Sequence, residues 1–122
     1  MRRSERYGDE VYRILADLVY KKINDPRISG IASLTGVEMS GDLSIAKVFY
    51  SVYGTDENRA GAKEAFQKAS GFLRKELASR LRSKKVPSLI FIEDMSLRYG
   101  ESIDKLLKSI NPSEADDSGG RN

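Results

Sequence analysis

The sequence holds no cysteine, no histidine and no tryptophan among its 122 residues. Without cysteine there are no disulfides and no thiolate metal sites, and a reducing cytosol is the expected home. Without histidine the commonest general base and the commonest metal ligand are both missing. Nucleophile–base chemistry would have to run on Ser, Lys, Asp or Glu alone. No stretch approaches the roughly 18 apolar residues of a membrane span. The basic start, Met1-Arg2-Arg3-Ser4-Glu5-Arg6, leads into no apolar h-region, so no signal peptide is expected. Neither a Gly-x-x-x-x-Gly-Lys loop nor a Gly-x-Gly-x-x-Gly turn occurs, which removes the usual nucleotide cradles. Glu93-Asp94 is an adjacent acid pair at the end of the third expected strand. Neighbours on a strand point to opposite faces, so these two form no shared site and read as a strand-end turn. The expectation is a non-enzyme with no catalytic residue, no metal and no cofactor.

What remains suits one small globular domain. Hydrophobic residues make up 39% of the chain, enough for a modest core at this length. Tyr7, Val11, Ile14, Leu15, Leu18 and Val19 recur at spacings of three and four, predicting a helix over 5–23 with Ser4 as its N-cap. Asn24-Asp25-Pro26-Arg27 predicts a turn, because the residue before proline avoids the α region.

Residues 31–40 and 42–53 predict two strands around a tight Ser40-Gly41-Asp42 hairpin. In the second strand Ala46, Val48, Tyr50 and Val52 face one way, and Leu43, Ile45, Lys47 and Phe49 face the other. Both faces are largely apolar, as a central strand requires. A long helical pattern follows from about Arg59 to Arg82, with Ala62, Ala65, Phe66, Ala69, Phe72, Leu73, Leu77 and Leu81 as its apolar positions. Gly71 interrupts it, and a kink is expected at Ala69-Ser70-Gly71. Residues 88–94 predict a third strand and 102–110 a last helix. Residues 1–110 are the expected domain, and 111–122 an acidic, flexible tail.

The order is helix, strand, strand, kinked helix, strand, helix. The helical crossover lets the last two strands pair in parallel, while the first two pair antiparallel. The expected fold class is therefore α+β, with helices on one face of a three-stranded mixed sheet.

Charge is unevenly placed. Between positions 63 and 85 lie Lys63, Lys68, Arg74, Lys75, Arg80, Arg82, Lys84 and Lys85, opposed only by Glu64 and Glu76. A solvated helix face normally mixes its signs. A one-signed stretch suits phosphate contacts, which supply most non-specific nucleic-acid affinity. Arg2, Arg3 and Arg6 make a second basic group, and Arg27 a further candidate against an internal Asp25–Arg27 pair. A glycine at position 71, after Ser70, permits close approach of a ligand backbone. The candidate RNA-binding residues are thus Arg3, Arg6, Arg27, Lys68, Ser70, Gly71, Arg74, Lys75, Arg80, Arg82, Lys84 and Lys85.

Four segments in order carry a resemblance: Asp25-Pro26-Arg27-Ile28; Leu34 through Val52; Ala69-Ser70-Gly71-Phe72-Leu73-Arg74; and Pro87 through Asp94, followed by Ser96, Gly100 and Ile103. Together they resemble the ribosome-binding factor A family from about Arg3 to Leu107. The resemblance implies a type II KH-like fold. It implies binding to the free small (30S) subunit and its 16S rRNA, not to the 70S ribosome, by a cytoplasmic monomer without membrane contact. It further implies help in late maturation, including processing of the 16S 5′ end, and importance for growth in the cold. KH domains clamp nucleotides with a Gly-x-x-Gly loop, and this sequence has none. The family carries an Ala-x-Gly kink in its place, matched by Ala69-Ser70-Gly71. Recognition is then expected to rest on basic surface and RNA shape. The alternatives are a KH-like module that binds single-stranded RNA off the ribosome, and a protein adaptor using the sheet face around Leu43, Ile45 and Phe49.

Overall fold

A computed structural model describes residues 2–82, 85–96 and 106–107. In chain order it has α1 (Arg3–Lys22), β1 (Ala32–Met39), β2 (Ile45–Val52), α2 (Asp56–Arg80) and β3 (Ser88–Glu93). The sheet order is β1-β2-β3. β1 and β2 pair antiparallel, and β2 and β3 pair parallel across the α2 crossover. This is the expected α+β mixed sheet. The last helix expected over 102–110 and the tail lie outside the described residues, apart from Leu106 and Leu107, which are helical and exposed.

α1 forms because Tyr7, Val11, Leu15, Leu18 and Val19 make one buried stripe. At Gly8 the helix packs close to β1, where a Cβ would just make contact, 3.4 Å from both the Met39 side chain and the Val37 carbonyl. Ser4 is not the N-cap. The helix begins at Arg3, with Arg2 as a cap that makes no side-chain hydrogen bond. The first turn is exposed and polar, so the apolar stripe does not fix where it starts. After Pro26 the turn places Ile28 in the core at 1% exposure, with its N–H donating to the Asp25 carbonyl at 2.9 Å.

The inward face of β2 is Ala46, Val48, Tyr50 and Val52, all buried. Phe66 of α2 lies between Tyr50 and Phe91, with ring centroids 4.6 Å and 5.1 Å away. The outward face is open among the described residues: Ile45 and Ile90 are exposed, and Phe49 is half-buried. Leu43 departs from expectation. It lies in the hairpin loop rather than in β2, with φ 64°, and its side chain is buried. Left-handed backbone costs a bulky residue on the order of 1–2 kcal/mol. Burying a leucine side chain returns about 1.5–3 kcal/mol.

α2 runs unbroken through Ser70 and Gly71, and a bend at Gly/Ser is compatible with an unbroken helix. A glycine inside a helix costs about 1 kcal/mol. The buried stripe Ala62, Ala65, Phe66, Leu73 and Leu77 keeps its phase on both sides of Gly71, and that packing outweighs the cost. The helix starts earlier than expected because Thr55 and Asn58 form a capping box ahead of the apolar stripe. Phe72, expected in the apolar set, is 43% exposed. No helix among the described residues is long and apolar enough to cross a membrane.

Candidate nucleic-acid interface

The basic positions divide by what their charged ends touch. Arg27 is engaged: it donates to both carboxylate oxygens of Asp25, and reaches Glu64 at 3.1 Å. These donors, with the Arg27 backbone N–H, hold the Asp25 carboxyl down at about 2. Lys68 pairs with the same Glu64 at 3.1 Å. Arg80 pairs with Asp17 of α1 at 3.0 Å, and Asp17 also meets Lys21 at 3.1 Å. Ser70 donates to the Gln67 carbonyl at 2.9 Å.

Arg74 holds the loop that enters β3. Its Nε donates to the Pro87 carbonyl at 3.1 Å and its Nη2 to the Val86 carbonyl at 3.2 Å. The preceding carbonyl, of Lys85, accepts from the Tyr7 hydroxyl. The Lys85 ammonium donates to the Asp42 carbonyl at 2.7 Å. Donors from α1, α2 and this loop's own lysine therefore fix residues 85–87 against the hairpin. Lys84 lies outside the described residues.

Arg3, Arg6, Lys75 and Arg82 have no ion pair or side-chain hydrogen bond among the described residues, and all four are exposed. They line two grooves. One, of about 490 Å³, is walled by Gly71, Arg74, Lys75, Ala78 and Val86. A Cβ at Gly71 would meet nothing within 4 Å, so packing inside the protein does not require glycine there. Phe72 stands exposed beside it.

The other groove, of about 950 Å³, runs between α1 and the end of α2, and Arg3, Arg6, Arg13, Arg80 and Arg82 line it. Arg13 is absent from the residues expected on sequence grounds. A signal for it exists, because positions 3, 6, 10 and 13 share one helical face. A charge count over the 63–85 stretch and the N-terminus passes it by.

Glu93 and Asp94 go to different partners, as alternation requires. Glu93 pairs with Arg59 at 2.9 Å. Asp94 accepts from the Ser96 N–H at 2.9 Å and from the Thr35 hydroxyl at 3.2 Å. No cluster of metal-ligating side chains occurs among the described residues.

The ribosome-binding factor A family model matches residues 3–107. The chain belongs to the ribosome-binding factor A family. It is 37% identical over 114 residues to ribosome-binding factor A of Geobacter sp. (strain M21), covering 93% of this chain and 95% of that one. The crystal structure of ribosome-binding factor A from Thermus thermophilus superposes with a TM-score of 0.65 at 26% identity, covering 75% of this chain and 97% of that one. Coordinates of the Thermus thermophilus factor fitted into the cryo-EM map of a 30S–RbfA complex give a TM-score of 0.60 at 27% identity, covering 72% and 91% of the two chains. The family expected from the four sequence segments is thus the family found.

Proposed function

We propose that the protein binds the free small ribosomal subunit, contacts its 16S rRNA and assists late maturation, including processing of the 16S 5′ end. It does so as a non-catalytic, monomeric cytoplasmic factor that leaves the 70S ribosome unbound. A Thermus thermophilus relative of the same fold has been fitted into a 30S complex, which supports the choice of partner. The observation that carries the RNA contact is the Gly71 groove. There an unpaired Lys75 and a backbone without a Cβ face solvent on α2. Such a surface admits a phosphate backbone closely and neutralises it. The factor would act by preferring one conformation of immature rRNA, with no bond made or broken.

The test is gradient sedimentation of extracts from cold-grown cells, with and without the protein, probed for it and for the 16S 5′ end. Co-migration with free small subunits, and precursor build-up on depletion, is the expected result. Migration only at the top of the gradient, with normally matured 16S rRNA, would remove the assembly role. The alternative, a module for single-stranded RNA off the ribosome, is favoured by the exposed Phe72, since an exposed aromatic ring can stack a base. It predicts binding to short oligonucleotides as tight as to subunits.

A further inference from the structure

We infer that the groove between the N-terminal half of α1 and the end of α2 is a second phosphodiester-binding site, separate from the Gly71 face. Its phosphate ligands are Arg3, Arg6, Arg13 and Arg82. The inference rests on the RNA-binding reading above and extends it to a surface that includes α1.

None of these four guanidiniums has a partner among the described residues. Asp9 and Glu10 line the same groove, yet no arginine in it pairs with either one. Arg80 is the exception on the cationic side, because Asp17 of α1 holds it. It therefore acts as a positioning residue that ties the two walls together. Four unpaired arginines against the two carboxylates of Asp9 and Glu10 leave net positive charge around one concavity of about 950 Å³. Arg3 and Arg6 even run against α1, whose N-terminal dipole favours acids in the first turn.

The lining also names the ligand class. Guanidinium forks match the paired oxygens of a phosphate. Base stacking needs an exposed aromatic face. The one aromatic side chain in the groove, Tyr7, is buried, with its hydroxyl on the Lys85 carbonyl. The site therefore takes backbone phosphates of folded, duplex RNA, read by shape and not by sequence.

The test compares wild type, Arg6→Glu/Arg13→Glu and Lys75→Glu on two probes, each across a salt series. One probe is the purified small ribosomal subunit; the other is a duplex RNA of arbitrary sequence. Both arginines are exposed, and the single variant Arg13→Ala serves if the double reversal perturbs folding. The double variant should bind duplex RNA roughly tenfold more weakly at low salt. Its log K against log salt should flatten by about one unit per arginine, for RNA of any sequence. Adding Lys75→Glu should lower affinity further by its own separate factor. Matching wild-type affinity and slope for the double variant and for Arg13→Ala, on both probes, overturns the site. Wild type that binds duplex RNA through these arginines but ignores subunits removes the assembly role and leaves this site standing.

Discussion

The hydroxyl of Tyr7 in α1 donates to the backbone carbonyl of Lys85, 78 positions further along the chain. This bond fastens the loop after α2 to the first helix, beside the arginine groove. Tyr7→Phe keeps the ring and removes that hydroxyl donor. Stability should fall by about 1 kcal/mol, read as a lower urea midpoint with an unchanged slope.

Arg74 donates to the next two carbonyls, of Val86 and Pro87. Arg74→Lys keeps the charge but cannot reproduce two forked donors. It should cost about 1–3 kcal/mol of stability while the salt dependence of subunit binding stays close to that of wild type. Full stability together with weakened subunit binding in Arg74→Lys would make Arg74 a forked phosphate ligand and not a loop anchor.

Gly71 sits within a helix, with open space where a Cβ would go. Gly71→Ala should therefore raise the stability of the free protein by up to about 1 kcal/mol. The same methyl group should weaken subunit binding, because it would stand where the proposed contact brings the RNA backbone. Urea unfolding and co-sedimentation, measured on one preparation, separate the two effects.

Acid should destabilise the fold through Asp25 and Asp42. Hydrogen bonds from the Arg27 side chain and backbone hold Asp25 at about 2, against a usual 3.8. Hydrogen bonds from the Ser44 and Ser40 hydroxyls and the Ser44 N–H hold Asp42 at about 2. Both folded-state values lie below the unfolded one, so the unfolded chain binds more protons in this window. The stabilisation is present above pH of about 4 and drains away as pH falls towards about 2. Urea midpoints across that range should drop, and Asp42→Asn should make the drop shallower.

Phe66 is fully buried between Tyr50 and Phe91. Phe66→Ala should cost about 3–5 kcal/mol, a large share of the roughly 5–15 kcal/mol that holds a domain together. Thermal unfolding followed by circular dichroism should show a much lower midpoint or no cooperative transition.

Element types, strand pairing and family are legible in the order of the residues alone. They rest on local periodicity and on ordered motifs: the 7-11-15-18-19 stripe of α1, the inward 46-48-50-52 set of β2, and the four segments shared with ribosome-binding factor A. The basic stretch is legible in the same way. Details that local pattern does not control are not. Ser4 has the chemistry of a cap, but the start of an exposed first turn has no core contact to fix it. Gly71 lowers helix propensity, but packing on both sides of it keeps α2 unbroken there.

Which cations are free is a property of the folded chain. Arg80 pairs with Asp17 across 63 positions of sequence, Arg27 with Asp25 nearby and with Glu64 across 37, and Arg74 donates to two loop carbonyls while keeping its charge. Arg3, Arg6, Arg13, Lys75 and Arg82 keep no such partner among the described residues. In the sequence the two kinds are the same letters. Ion pairing depends on distances of a few ångströms between groups far apart in the chain, and folding alone sets those distances.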